Sequence, residues 1–235
     1  ALALGGVLFL LGKGAKKAVY AKEVFCAVSL VWINLSLVGA LPFVISGQIP
    51  NFIDALFETV SGFTTTGASL VNQVENLDHG ILFWRSFTHW VGGMGVLVFL
   101  LTVLPATGGY NMHLMRAESP GPSVGKLVPK IRYTARLLYV IYLVLTIIEI
   151  ILLLIGKMPV FDTLTLSFGT AGTGGFGIKN DSLAGYSPYL QNVTTIFMIL
   201  FGVNFSCYYL LLLGGFKSIL KDEELRLYVS LALVV

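Results

Sequence analysis

The long apolar stretches of this chain are the feature that most restricts its possible folds. Four of them are nearly free of charged side chains: residues 24–46, 86–107, 137–156 and 190–216. A helix needs roughly 20 residues to cross a hydrocarbon core about 30 Å thick, so each stretch is long enough to span a membrane. Hydrophobic residues make up 56% of the chain, charged residues 11%, and the mean hydropathy is +0.85. The sequence therefore predicts an all-α, polytopic membrane protein rather than a soluble domain.

Lysine and arginine are concentrated in three clusters between these stretches. The clusters consist of Lys13, Lys16, Lys17 and Lys22, then Arg116, Lys126, Lys130, Arg132 and Arg136, and finally Lys217, Lys221 and Arg226. Because loops rich in basic residues stay on the cytoplasmic side, all three clusters are expected to face the cytoplasm. The net charge of +3 therefore indicates an orientation in the membrane and not a nucleic-acid partner.

Two further apolar segments are too short to cross the membrane. They read "NFIDALFETVSGF" (residues 51–63) and "MPVFDTLTLSFGTAG" (residues 158–172), and the predicted topology places both outside. Each is too apolar for a free loop, which favours a re-entrant loop: a short helix that enters from outside and returns as an extended thread. Irregular backbone at membrane depth is tolerated only when it is buried in protein or lines a water-filled cavity.

The two short segments occupy matching places in an internal repeat. The letters "FIDAL" from Phe52 correspond to "VFDTL" from Val160, and in both copies a glycine, Gly67 or Gly175, follows the aspartate by 13 residues. Each copy reads as span, short helix, Gly/Thr-rich thread and span. Both copies run from inside to inside, so the repeat is parallel, and its axis is expected along the membrane normal. Copies arranged in this way would surround a central pore.

The threads after the short helices contain the candidate ion-binding residues. These are Thr64, Thr65, Thr66, Gly67 and Ala68 in the first copy, and Thr173, Gly174, Gly175 and Phe176 in the second. Neither thread has a charged side chain, which favours carbonyl ligands such as those that replace the hydration shell in potassium-channel filters. The carboxyl end of each short helix would add a partial negative charge. The predicted ligands are the backbone carbonyls of Thr65, Thr66, Gly67, Gly174 and Gly175.

Several motifs resemble a known family in their order along the chain. They are "FIDALFETVSGFTTTGAS", "ILFWRSFTHWVGGMGVLVF", "MRAESPGP" and "GVNFSCYYLLL" with "DEELRLY". The chain resembles the Trk/Ktr/HKT superfamily of potassium transporters, closest to the bacterial Trk-type membrane subunit. The resemblance implies four repeats around one pore, so this chain is expected to be a fragment. It assigns residues 1–19 to the end of a leading helix and a cytoplasmic loop, 20–125 to the first repeat, 126–220 to the second, and 221–235 to the start of a third.

The same resemblance implies potassium uptake across the bacterial cytoplasmic (inner) membrane. The family's filter glycines map onto Gly67 and Gly175. Relatives that favour sodium often have serine at the first position, so glycine implies potassium as the transported ion. No bound cofactor is implied. The expected partners are membrane lipid, a second membrane subunit in a homodimer, and a cytosolic nucleotide-binding regulatory ring.

Two other functions fit parts of the sequence. An ion-coupled secondary transporter with re-entrant hairpins would usually show inverted repeats and ionisable residues at mid-membrane, whereas here the repeats are parallel and only Glu149 is central. An intramembrane hydrolase would need Ser61 as nucleophile beside His89 as base, and nothing in the second repeat supports that pair. We therefore expect a transport protein and not an enzyme.

Three features have two interpretations each. Glu149 is a functional candidate because it is an acid inside an apolar helix, but pairing with a hydroxyl or amide of a neighbouring helix is favoured. Arg85 either holds the re-entrant loop, through its carbonyls or Glu58, or extends to the membrane interface, and both options stay open. The glycines within residues 92–95 favour close helix packing over a hinge.

Overall fold

The computed structural model describes residues 21–95, 131–212 and 222–234, together with residues 5, 6 and 10. Within these ranges the chain consists of helices and loops, without strands. The helices are α1 (Ala21–Ile45), α2 (Phe52–Phe63), α3 (His79–Gly93), α4 (Ile131–Ile155), α5 (Val160–Ala171), α6 (Pro188–Gly202), α7 (Phe205–Leu212) and α8 (Glu223–Val234). A 3-10 turn over Val74–Asn76 lies between α2 and α3. The predicted all-α architecture agrees with this arrangement.

Two of the helices are long and apolar enough to cross a membrane. The qualifying segments are Val28–Ile45 within α1 and Ala135–Ile155 within α4, and they match the spans predicted over residues 24–46 and 137–156. Many of their outward side chains, including Ile33, Ile147 and Ile151, are apolar and exposed. Helices that are apolar on all sides are typical of membrane spans, whose outer face contacts lipid or further protein.

The predicted span over residues 190–216 is not one continuous helix. Helix α6 begins at Pro188 and ends at Gly202, Val203 is extended with φ −69° and ψ 139°, and α7 begins at Phe205. The expectation of an uninterrupted span was therefore wrong within the described residues. An apolar run indicates that a segment is buried away from water, but it does not show whether the backbone leaves the helix at a glycine.

The span predicted over residues 86–107 also differs in its bounds. Helix α3 begins earlier, at His79, and ends at Gly93. Gly95 has φ 73°, and its amide donates to the carbonyl of Gly92 at 2.9 Å. A residue in the left-handed region just past a helix is a common helix terminator, and glycine adopts it at low cost. The rest of the predicted span lies outside the described residues.

The helices of the two halves match in order and length. Helices α1 and α4 each have 25 residues, α2 and α5 each have 12, and α3 and α6 each have 15. The structure therefore contains the internal repeat that the sequence predicted. The predicted repeat boundaries near residues 125 and 220, and nearly all of residues 1–19, lie outside the described residues.

Helix α3 lies between the two short helices and joins the halves. It packs against α2 of its own copy and against α5 of the other copy. A Cβ atom added at Gly92 would overlap the backbone of Phe63, and one at Gly93 would lie 3.0 Å from Cα of Gly172. The absence of side chains at these glycines allows α3 to approach the ends of both short helices, as the close-packing interpretation predicted.

Candidate ion-binding site

The two short helices end in the same backbone pattern. In each copy, one thread amide bonds back three residues and the next bonds back five, which satisfies carbonyls that a helix end otherwise leaves free. These bonds are Thr65 N to Gly62 O (3.0 Å) and Thr66 N to Ser61 O (2.9 Å), and Thr173 N to Thr170 O (2.7 Å) and Gly174 N to Gly169 O (3.2 Å). Both threads therefore leave their helices with the same local geometry.

Left-handed backbone angles recur at equivalent positions of the two threads. Thr65 has φ 56° and Gly67 has φ 76°, while Thr173 has φ 55° and Gly175 has φ 72°. For a β-branched residue such as threonine, positive φ is a true outlier. Strained residues of this kind cost about 1–3 kcal/mol each and persist only when the surrounding structure enforces them. Their repetition in both copies shows that the two threads share one local backbone geometry.

Six backbone carbonyls of the threads have no hydrogen-bond partner in the described part of the chain. Within the described residues, no hydrogen bond reaches the carbonyl oxygens of Thr65, Thr66, Gly67, Thr173, Gly174 or Gly175. These residues are partly or fully exposed. Because carbonyls left unpaired by protein require water or another ligand, this group is available to a cation. It includes all five carbonyls that the sequence predicted as ligands, whose binding role stays a prediction.

The two threads contact each other where the predicted ligands lie. A Cβ atom added at Gly67 would overlap the carbonyl oxygen of Gly174 and would lie 2.9 Å from its carbonyl carbon. Gly67 thus needs to be glycine for two separate reasons, its positive φ and its neighbour. A Cβ atom at Gly174 would in turn overlap the imidazole ring of His89. The structure therefore brings the predicted filter residues of both copies together.

The remaining predicted residues hold the threads in place. The Thr64 hydroxyl donates to the carbonyl of Val60 at 2.7 Å and lies 2.8 Å from the Thr66 hydroxyl. The carbonyl of Ala68 accepts a 2.6 Å hydrogen bond from the Ser61 hydroxyl. The Phe176 side chain is buried rather than facing the open carbonyls. These side chains therefore make contacts around the backbone of the threads.

A buried ion pair lies behind the first thread. Arg85 Nε is 3.1 Å from Glu58 Oε2, and the side chains are 4% and 0% exposed. The other carboxylate oxygen of Glu58 accepts hydrogen bonds from Ser69 Oγ and from the amide of Leu70, both at 2.6 Å. Arg85 is therefore inside the protein, and the alternative in which it extends to the membrane interface is wrong.

The same arginine contacts the second thread. Arg85 Nη1 donates to the carbonyl of Gly177 at 3.0 Å, and its guanidinium carbon lies 3.6 Å from the centroid of the Phe176 ring. His89, one helical turn further along α3, has its ring centroid 3.9 Å from that of Phe176. Sequence reasoning missed these contacts to the second copy. The spacing of Arg85 and His89, four residues apart on one helix face, was the available signal.

The outer loops form a cavity of about 420 Å³ between the two halves. Five titratable side chains line it, and three of them are acidic: Glu75, Asp162 and Asp181, together with His79 and Lys179. Asn180 joins the loops of the two copies. Its side-chain oxygen accepts a hydrogen bond from the backbone amide of Val74 at 2.9 Å, and its backbone amide donates to the Glu75 carboxylate at 3.2 Å. The loop region thus combines negative charge with direct bonds between copies.

Ser61 and His89 do not form a catalytic pair. The Ser61 hydroxyl donates to Ala68, the imidazole packs against Phe176, and no hydrogen bond joins the two side chains within the described part of the chain. A nucleophile needs its base within hydrogen-bond reach. The geometry gives the hydrolase alternative no support.

Glu149 is fully buried beside Thr170. Neither of its carboxyl oxygens has a hydrogen-bond partner among the described residues, because the Thr170 hydroxyl donates instead to the carbonyl of Leu166 at 2.9 Å. The structure thus places Glu149 beside a hydroxyl of the neighbouring helix α5, as the favoured interpretation requires, but no hydrogen bond of ordinary geometry to Glu149 is found among the described residues.

Comparison with known proteins agrees with this architecture. A family model described as "Cation transport protein", TrkH, matches residues 1–233. The chain belongs to the TrkH family. This membership confirms the resemblance inferred from the motifs and places the chain among cation transport proteins rather than enzymes.

Individual relatives of this TrkH-family chain carry potassium-uptake names. The Trk system potassium uptake protein TrkH of Salmonella typhimurium is 39% identical over 241 residues, covering 100% of this chain and 50% of the relative. The Trk system potassium uptake protein TrkG of Escherichia coli K12 is 34% identical over 240 residues, covering 97% of this chain and 50% of the relative. The chain therefore spans about half the length of the curated relatives it matches.

A solved structure has the same fold. The crystal structure of the potassium transporter TrkH from Vibrio parahaemolyticus matches with a TM-score of 0.71 and 30% identity. The match covers 92% of this chain and 44% of that chain. The all-helical membrane-transporter fold with repeated pore-loop units is thus supported by sequence and by structure.

Proposed function

We propose that this chain supplies half of a potassium-selective pore, as part of the membrane subunit of a Trk-type uptake system in the cytoplasmic membrane. Potassium is coordinated by the backbone carbonyls of Thr65, Thr66, Gly67, Gly174 and Gly175. The observation that carries the proposal is the repeated, strained thread geometry, which leaves these carbonyls without hydrogen-bond partners among the residues that the structure describes. The names of the relatives and the half-length coverage support the ion and the incomplete pore.

The chemistry of this site is replacement of hydration. Carbonyl oxygens held at fixed positions substitute for the water that a potassium ion loses on entering. Each short helix directs its carboxyl end toward its own thread, which adds a partial negative charge. The absence of a side chain at Gly67 allows the two groups of carbonyls to lie close together. The acidic cavity formed by the outer loops would raise the local concentration of cations at the entrance.

We further propose that two full-length membrane subunits associate and that a cytosolic nucleotide-binding ring binds their basic inner loops. Family membership supports this arrangement, and most of the basic residues concerned lie outside the described ranges. Light scattering of the purified full-length protein, with and without the regulatory subunit, measures the assembly. A mass equal to one membrane subunit would contradict the dimer.

The test of the pore is a comparison of two glycine substitutions in the full-length protein. Gly67→Ser and Gly47→Ser place serine at similar backbone angles, since φ is 76° and 72°. Nothing lies within 4 Å of a Cβ atom at Gly47, whereas at Gly67 it would overlap Gly174. Rubidium and sodium influx are measured in cells that lack potassium uptake. We expect Gly67→Ser to lower rubidium influx and raise the sodium-to-rubidium ratio, and Gly47→Ser to leave the ratio unchanged.

An unchanged ratio in Gly67→Ser, at normal amounts of protein in the membrane, would contradict the carbonyl filter. Because a regulatory partner is part of the proposal, uptake is measured with that subunit co-expressed. Wild-type protein that takes up neither ion under those conditions would contradict the transport function itself.

A further inference from the structure

We propose that the Glu58–Arg85 ion pair sets the separation of the two threads and thereby the ion selectivity, with Arg85 of the first copy acting as the positioning residue for the thread of the second copy. The inference rests on the proposed pore function, because it assigns a role in a filter formed by these threads. It starts from the contacts by which Arg85 joins Glu58 of its own copy to the thread of the second copy.

The first thread is tied to Glu58 at its far end. Ser69 and Leu70 follow the predicted carbonyl ligands, and both donate to one oxygen of Glu58 at 2.6 Å. Glu58 is on α2, the short helix that precedes the thread. The helix and the two ends of the thread therefore form a closed loop whose width is set by the Glu58 side chain. Hydrogen bonds to an ionised acceptor are roughly twice as strong as neutral ones, so this tie is stiff.

The second thread is tied to Arg85 at the equivalent end. The carbonyl of Gly177 accepts from Arg85, and the ring of the preceding residue, Phe176, lies under the guanidinium. Phe176 is only 2% exposed, and its ring contacts both this guanidinium and the imidazole of His89. Since Arg85 also bonds Glu58, one side chain connects the outer ends of both threads.

The described part of the second copy has no ion pair at the equivalent positions. Helices α2 and α5 have equal lengths, as do α3 and α6, so Glu58 corresponds to Leu166 and Arg85 corresponds to Thr194. The Thr194 hydroxyl donates to the carbonyl of Leu190 within its own helix at 3.0 Å. Neither counterpart carries a charge. The thread of the second copy therefore takes this support from the first copy.

Arginine is suited to this position because its guanidinium is planar and offers several donors in fixed directions. It can bond a carboxylate, bond a carbonyl and stack on an aromatic ring at the same time. A lysine offers a single ammonium on a flexible stem. Substitution by lysine therefore keeps the charge opposite Glu58 but cannot keep all three contacts.

The experiment compares Arg85→Lys with wild type in the full-length protein. Rubidium and sodium influx are measured with the regulatory subunit present, at matched amounts of protein in the membrane. We expect the sodium-to-rubidium ratio to rise about tenfold, the effect of losing one charge-assisted hydrogen bond. A residue that only stabilised the fold would reduce the amount of protein and the influx of both ions together, without changing their ratio.

A second variant covers the case in which Arg85→Lys does not reach the membrane. Phe176→Leu keeps an apolar side chain and the ion pair but removes the ring under the guanidinium, and we expect the ratio to rise about threefold. Two controls are Thr194→Val, at the position that corresponds to Arg85, and Thr146→Val, a buried threonine that bonds Tyr142 and Trp90. Both are expected to leave the ratio at the wild-type value.

The outcomes separate this inference from the pore itself. The role of the ion pair would be overturned if the sodium-to-rubidium ratio changed in Gly67→Ser but stayed at the wild-type value in Arg85→Lys. Where Arg85→Lys does not reach the membrane, Phe176→Leu takes its place in this comparison. Either result would leave the filter intact. A ratio that changes in none of the three would contradict the filter. A rise in Thr194→Val as large as in Arg85→Lys would show that any substitution in these helices alters selectivity, which would also overturn the inference.

Discussion

The guanidinium carbon of Arg85 lies 3.6 Å from the centroid of the Phe176 ring, although the two residues belong to different copies of the repeat. This contact, with the ion pair to Glu58, makes the two copies a single supporting structure around their threads. The copies match in helix order and in the backbone angles of the threads, yet the charged support comes from one of them. The consequences can be measured by substituting two residues of the same type that differ in one structural contact.

Two buried glutamates provide the first pair. Glu58 and Glu149 are both fully buried, but Glu58 has an ion pair and two hydrogen bonds, whereas neither oxygen of Glu149 has a partner in the described ranges. Glu58→Gln leaves the Arg85 charge uncompensated and should destabilise the protein by about 3–5 kcal/mol. Glu149→Gln removes an unpaired ionisable group and should leave stability unchanged or higher.

Thermal unfolding of the purified full-length protein in detergent measures both effects as shifts of Tm. We expect a large decrease for Glu58→Gln and no decrease for Glu149→Gln. Equal decreases for the two variants would show that the ion pair adds nothing beyond ordinary packing.

Two glycines of α3 provide the second pair. A Cβ atom at Gly92 would lie 2.8 Å from the carbonyl carbon of Phe63 and 3.0 Å from its Cα, whereas nothing lies within 4 Å of one at Gly80. Gly92→Ala forces α3 away from the end of α2, and overpacking of this kind costs about 1–3 kcal/mol. Gly80→Ala should be neutral or slightly stabilising, because alanine favours helix more than glycine does. The same Tm measurement checks this, and a neutral Gly92→Ala would mean that the helices are not closely packed there.

Two buried serines provide the third pair. The Ser61 hydroxyl bonds the carbonyl of Ala68 at the end of the first thread, while the Ser86 hydroxyl has no partner within the described residues. Ser61→Ala should therefore loosen the thread by about 0.5–1.5 kcal/mol and raise the sodium-to-rubidium influx ratio, with uptake continuing. Ser86→Ala should leave the ratio unchanged. Complete loss of uptake in Ser61→Ala at normal protein levels would contradict a supporting role and favour a direct chemical one.

The sequence predicted those parts of the fold that have a strong periodic or compositional signal. The short helix over residues 52–63 and its partner over residues 160–171 lie where the apolar segments indicated them. The threads could be predicted because a Gly/Thr-rich segment follows each short helix at matched spacing, which favours a repeated structural element over an ordinary extracellular turn. Membership of the family could be inferred for the same reason, since its motifs occur in order.

The sequence did not predict contacts that depend on how the two copies pack. The break after Gly202 falls within an uncharged stretch, where Gly202 and Asn204 alone do not distinguish a helix break from a continuous span. For Arg85 the sequence left burial and exposure equally open, because a single charge at the start of a span is compatible with both. Its contact with Gly177, 92 residues further along the chain, depends on the packing of α3 against α5.

The most direct test of the central claim is to locate bound ions. Crystals of the full-length protein grown in rubidium chloride would show the ion through its anomalous scattering. We predict a peak within coordination distance of the carbonyls of Thr65, Thr66, Gly67, Gly174 and Gly175, and its loss in Gly67→Ser. Ordered threads with no peak beside these carbonyls, or a peak held only by acidic side chains, would contradict the carbonyl filter.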